Sequence, residues 1–206
     1  MRNKETISAL ILAAGMSRRM GDFKPLLDFK GRTVIENSVG SALCEGASAA
    51  VVVTGHRADE VEKTLTKAFG NRVRFVRNPD FATTDMLYSV QLGVGGLPAC
   101  GSFFLLPGDM PTVAPETYRK LLAARALEQA AVIFPTLGGY RKHPPLIDAK
   151  LIPAICAYHG AGGLRSFWQH CEGGIVYVPV DDAGVGIDLD TPADYEALNK
   201  AIKKEV

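Results

Sequence analysis

Leu10-Ile-Leu-Ala-Ala-Gly-Met-Ser-Arg-Arg-Met-Gly-Asp-Phe-Lys-Pro-Leu-Leu27 is the stretch on which the reading of this chain turns. An apolar run from Ile7 to Leu12 stops at Ala13-Ala14-Gly15, and a loop with Ser17, Arg18, Arg19 and Lys24 follows. Residues with little or no side chain let a ligand approach the backbone N–H groups closely. Three cations against one carboxylate, Asp22, make the loop locally positive. Small residues and cations directly after a buried strand suit a polyphosphate.

The loop lacks the Gly-Lys-Ser/Thr ending of a P-loop. It also lacks the three glycines of a dinucleotide fingerprint, since only Gly15 and Gly21 occur. Outward from it, short apolar segments alternate with helical ones. Strands are predicted over 6–12, 49–54, 72–76, 102–106, 131–135 and 174–180, and helices over 33–45, 58–69, 83–92, 115–128, 164–171 and 192–204. Alternation of this kind predicts an α/β fold, a Rossmann-like, mostly parallel sheet with helices on both faces. Ligands then bind at the carboxyl ends of the strands, where the opening loop lies. Residues 135–153, punctuated by Gly138-Gly139 and Pro144-Pro145, read as an irregular excursion with room for a small hairpin. The expectation is one domain over 1–206.

The bulk numbers narrow the class. With 47% hydrophobic and 22% charged residues the composition is that of an ordinary globular protein. A formal charge of +1 gives no support to nucleic-acid binding. No apolar run reaches the roughly 18 residues of a membrane span. Cys44, Cys100, Cys156 and Cys171 are scattered without metal-ligand spacing, so free thiols and a cytoplasmic location are expected.

Two further stations carry carboxylates. Phe103-Phe-Leu-Leu-Pro-Gly-Asp-Met-Pro111 is an apolar strand ending in a turn with Asp109, placed either to hold magnesium or to cap its own backbone. In Gly186-Ile-Asp-Leu-Asp-Thr-Pro-Ala-Asp-Tyr195, strand alternation puts Asp188 and Asp190 on one face. Thr191 reads as a helix N-cap with Pro192 first in the helix and Asp194 as its partner, which leaves Asp188 as the better metal candidate and Asp190 as the weaker.

The opening loop resembles the signature of the MobA-like nucleotidyltransferases, roughly L-A-A/G-G-x-S-x-R-M-G-x-x-K. It matches at Leu12, Ala13, Ala14, Gly15, Ser17, Arg19, Met20, Gly21 and Lys24. The segments around Asp109 and Asp188 are similar to that family's P-G-D-x-P and D-I-D-T-P segments. The resemblance implies a GT-A-like nucleotidyltransferase fold. It also implies a nucleotide site at Leu12, Ala13, Ala14, Gly15, Arg19 and Lys24, and catalysis by Arg19, Lys24 and Asp109 with Mg2+ on Asp109 and Asp188. Asn78-Pro79-Asp80-Phe81 and Met86-Leu-Tyr-Ser89 resemble a segment near the nucleotide, so Asn78 and Ser89 join the site. Asp85 stands where the best-known cytidylyltransferases have glycine, and Thr83, Thr84 or Asp85 reads equally as a helix N-cap. Arg141-Lys142-His143-Pro144 resembles a G-H-P segment facing the acceptor, with Lys142 in place of glycine. Lys142 and His143, together with Arg165 after Gly162-Gly163, are the acceptor candidates, against a reading as a solvated turn and an ordinary helix start. Trp168 reads as core.

Leu-Ala-Ala-Gly looks more like the molybdenum cofactor cytidylyltransferases, the guanylyltransferases tending to Leu-Ala-Gly-Gly. The resemblance therefore implies transfer of a nucleoside monophosphate, from CTP in preference to other NTPs, to a phosphate-bearing small molecule such as molybdopterin, with pyrophosphate released. Transient contact with a molybdoenzyme or cofactor chaperone goes with that activity. A sugar- or polyol-phosphate nucleotidyltransferase and a non-catalytic nucleotide-binding or cofactor-delivery protein are the alternatives.

Overall fold

The computed structural model describes residues 5–171, 173–187 and 189–203. The elements in chain order are β1 (Ile7–Ala13), β2 (Asp28–Phe29), β3 (Arg32–Thr33), α1 (Val34–Cys44), β4 (Ala47–Thr54), α2 (Ala58–Phe69), β5 (Val73–Arg77) and α3 (Met86–Gly95). Then come β6 (Ser102–Pro107), α4 (Pro115–Leu127), β7 (Val132–Leu137), β8 (Tyr140–Arg141), β9 (Leu146–Asp148), α5 (Ile152–Ala157), α6 (Gly163–Gln169), β10 (Ile175–Pro179) and α7 (Pro192–Lys203).

The main sheet runs β10-β7-β9-β6-β1-β4-β5, with β8 paired to β7. Four pairings are parallel: β1 with β4 and β6, β4 with β5, and β7 with β10. Side-chain alternation divides the central strands between two cores. Ala9, Ile11, Phe104 and Leu106 join one with α1, α2 and α4. Leu10, Phe103 and Leu105 join the other with α3, α5 and α6. Strands buried on both faces explain the unbroken apolar runs in the sequence. The mostly parallel, helix-flanked sheet agrees with the expectation.

The stretch 135–153 differs from its reading as irregular. A hairpin is there: β7 and β8 pair at Leu137 and Tyr140 across Gly138-Gly139, whose φ values of 58° and 82° match a two-residue type I′ turn. In addition, β9 inserts antiparallel between β6 and β7. At three residues behind Pro144-Pro145, β9 is too short for a periodic signal. Helix α3 begins at Met86 and not at 83, because Asp85 is its N-cap and accepts from the Tyr88 N–H at 3.0 Å. Thr191 and Asp194 form the expected cap: each backbone N–H donates to the other's side chain, at 2.8 and 3.3 Å. None of the four cysteines is in a disulfide. Among the described residues no helix is long and apolar enough to cross a membrane.

Candidate active site

The parallel register brings the carboxyl ends of β1, β4 and β6 level: Ala13 pairs with Thr54 and Leu12 with Pro107. The loops leaving them are tied together. The Gly108 N–H donates to Leu12 O at 2.8 Å and the His56 N–H to Ala14 O at 3.3 Å. A Cβ on Gly108 would lie 2.6 Å from Ile35 Cδ1, so glycine is what lets the Asp109 turn sit against α1 and β1. Buried Ser38 donates to Gly108 O at 3.0 Å and fixes the turn from below.

Ser17 adopts φ 51°, uncommon for a residue with a side chain. Its carbonyl accepts from the Met20 N–H at 3.0 Å and its hydroxyl from the Lys24 N–H at 3.2 Å. The cationic loop thereby folds back and carries Lys24 inward. Lys24 is buried, with Nζ 2.8 Å from Asp190 Oδ1 and 3.4 Å from Asp109 Oδ2. The other Asp190 oxygen meets Arg19 Nη1 at 2.9 Å. The hydrogen bond from Lys24, helped by the charges of Lys24 and Arg19, holds the Asp190 carboxyl below the usual carboxylate range.

These groups face a cavity of about 400 Å3. Leu12, Ala13, Ala14, Gly15, Arg19, Lys24, Ser89, Asp109 and Asp190 all line it. Asn78 does not. It lies beneath the wall, 1% exposed, donating to Thr84 Oγ1 at 3.0 Å and to Ser89 Oγ at 3.1 Å while accepting from the Asp80 N–H at 2.9 Å. Its bonds place Thr84 and Ser89, which do line the cavity. Asp188, the expected second metal contact, lies outside the described residues. Among those described, Asp190 shares Lys24 with Asp109. Its Lys24 partner lies 166 residues away in sequence, beyond the reach of any local pattern.

A second cavity, of about 330 Å3, adjoins the first, and Met86 lines both. Lys142, His143 and Arg165 all line it, with Phe134, Leu164 and Trp168 as an apolar wall. Trp168 is core as read, packed edge-on against Phe134 with centroids 5.8 Å apart, yet it also reaches this cavity. Arg141, not singled out from sequence, lines the cavity too and lies over the Phe134 ring, 5.4 Å from its centroid. Only the neighbouring Lys142-His143 could have pointed to it. His143 Nδ1 lies 3.2 Å from Leu105 O.

A small-residue loop, an inward lysine between carboxylates and an adjoining cavity lined by cations thus lie together in one cleft. Residues 9–174 match the model of the MobA-like NTP transferase domain, and the chain belongs to that family. It is 29% identical over 189 residues to the molybdenum cofactor cytidylyltransferase of Escherichia coli, covering 92% of this chain and 93% of that protein. It is 28% identical over 192 residues to the nicotine blue oxidoreductase of Paenarthrobacter nicotinovorans, covering 90% and 92%. Its structure superposes on a nucleotidyl transferase from Methanothermobacter with a TM-score of 0.82 at 26% identity, over 98% of this chain and 100% of that one.

Proposed function

We propose that this chain transfers cytidine monophosphate from CTP to the phosphate of a planar acceptor, molybdenum cofactor being the one indicated by the Escherichia coli relative. Residues 1–206 act as one nucleotidyltransferase domain. The observation that carries this reading is Lys24: a buried ammonium between Asp109 and Asp190, aimed into a cavity floored by Ala13, Ala14 and Gly15. An acceptor phosphate oxygen bonds to the α-phosphorus as the bond from that phosphorus to the leaving pyrophosphate breaks. The acceptor oxygen is already ionised, so no general base is required. Positioning and charge stabilisation carry the rate.

Backbone N–H groups of the loop and the cations Arg19 and Lys24 take the negative charge of the triphosphate. Ser89 and the wall held by Asn78 border the nucleoside. Lys142, Arg141 and Arg165 meet the acceptor's phosphate, with His143 beside them. The Phe134, Leu164 and Trp168 wall favours a flat acceptor over a small polyol phosphate, which needs no such surface.

Magnesium is the fitting metal. Asp109 and Asp190 offer hard carboxylate oxygens, and magnesium is ordinarily held by one or two carboxylates plus substrate phosphates. Asp109 would hold the ion with Asp190 or Asp188. Bound there, it supplies charge neutralisation on the triphosphate.

The test is magnesium-dependent pyrophosphate release from CTP, GTP, ATP and UTP, with and without molybdenum cofactor. Release from CTP only when the cofactor is present is the expected result. Release only with sugar or polyol phosphates would overturn the acceptor, and silence throughout would overturn catalysis.

A further inference from the structure

Arg141 and Arg165, which line the second cavity, also line a third, of about 670 Å3. Shared lining residues therefore join the cavities in series: Met86 joins the first to the second, and the two arginines join the second to the third. The aromatic wall continues the same way. Trp168 packs edge-on against Phe134, and the Phe134 ring stacks with Tyr177, centroids 6.4 Å apart and planes 26° from parallel. The parallel pairing of β7 with β10 sets Tyr177 beside Phe134. Phe134 borders the second cavity and Tyr177 the third, so one row of rings serves both. Phe134 is buried, but Tyr177 is 52% exposed, and Tyr140, which also lines the third cavity, is 76% exposed. Large exposed rings gathered around a concavity are the mark of a binding surface.

The charge of this cavity is of one sign. No carboxylate is among the described residues that line it. Among the described residues neither Arg141 nor Arg165 has a carboxylate partner, whereas Arg57, Arg77, Arg119 and Arg125 are all ion-paired. A guanidinium carries several N–H donors in one plane and stacks well on flat groups. We propose that the third cavity is a binding site for a planar ring bearing an anionic group, the ring lying against Tyr140 and Tyr177 and its anion accepting from Arg141 and Arg165. Such a ligand is either the far end of an elongated acceptor or a separate small molecule that competes for the two arginines. Only the choice between these sources rests on the nucleotidyltransferase reading.

The probe is naphthoate, titrated into the full chain by ligand-observed NMR beside neutral naphthylmethanol and non-planar cyclohexanecarboxylate. Naphthoate should bind more tightly than either analogue. Tyr177→Ala should weaken it about fivefold, the mid-range worth of one aromatic contact, and Tyr177→Phe, which keeps the ring, should not. Arg165→Gln should narrow the preference for naphthoate over naphthylmethanol. Equal binding of naphthoate and its neutral analogue, or naphthoate affinity untouched by Tyr177→Ala, overturns the site. In the pyrophosphate assay, a rise in acceptor KM in Tyr177→Ala identifies the ligand as the acceptor's far end. An unchanged KM, with naphthoate inhibiting the wild type, identifies a separate molecule. Neither effect would overturn the sharing of the arginines. Absence of turnover with every acceptor would overturn the nucleotidyltransferase reading and leave the site to be judged by the titrations alone.

Discussion

The two halves of the cleft are built by different means. The half proposed for the nucleotide is made from the ends of adjacent parallel strands, and its principal loop is one unbroken stretch in which a backbone turn at Ser17 delivers Lys24. The half proposed for the acceptor is gathered from β7, β8, the β8–β9 connection and α6, and its cations share the cavity with an aromatic wall. The first is preorganised by hydrogen bonds to buried backbone. The second rests on side-chain packing. Substitutions in the nucleotide half should therefore damage turnover and folding together, whereas those in the acceptor half should alter affinity for one substrate.

The sharpest way to break this contrast is Lys24→Ala. It should lower kcat about 10²–10³-fold, roughly 2.7–4 kcal/mol of transition-state stabilisation, as for removal of one preorganised donor. Pyrophosphate release at saturating substrates is the measurement, and near-wild-type turnover would remove Lys24 from the mechanism.

Asn78→Ala follows. It leaves the Asp80 N–H and the Thr84 and Ser89 hydroxyls without their buried partner, at a cost of about 2 kcal/mol. Thermal unfolding should shift down by about 4–8 °C for a chain of this size. CTP affinity should fall with it, because the same side chain places Ser89. Unchanged CTP binding in a destabilised variant would reduce Asn78 to a purely structural residue.

In the acceptor half, Arg141→Ala should raise the acceptor KM about tenfold, near 1.4 kcal/mol, and leave the CTP dissociation constant unaltered. A matching loss of CTP affinity would show that the two halves are not independent.

The smallest effect is the pH dependence of Asp190. Its folded carboxyl titrates below the ordinary value of about 4, so its contribution is fully present above that value and is lost as pH falls through the depressed folded one. The difference in Tm between the wild type and Asp190→Asn should stay constant between about pH 6 and pH 8 and close below about pH 4. Because the group is partly exposed, the difference itself is small. A difference that varies through neutral pH would point to another titrating group.

Legibility followed the same division. The strand-loop-cation order of Leu10–Leu27 and the Pro107-Gly108-Asp109 turn could be read directly, since each is a local pattern whose chemistry lies within a few residues. Asp190 was visible only as one of two carboxylates on a strand-like face. Asn78 was visible as a candidate, but not as a buried residue bonded to Thr84 and Ser89 from beneath the cavity wall. Arg141 and the second role of Trp168 left no separate trace, because a periodic pattern reports burial and not which cavity a buried ring borders.

By itself the sequence determined the α/β alternation, the parallel sheet, the cationic small-residue loop and the carboxylate at the end of β6, all consequences of hydrophobic period and local turn chemistry. Tertiary structure alone decided that three-residue β9 enters the sheet antiparallel between β6 and β7. It likewise decided that Asp190 closes on Lys24 and Arg19, and that cations from two segments, Arg141-Lys142 and Arg165, line one cavity with Phe134 and Trp168. The reason is physical: strand pairing in a three-residue segment and ion pairs across most of the chain length depend on where the whole sheet places its edges and ends, which no local pattern encodes.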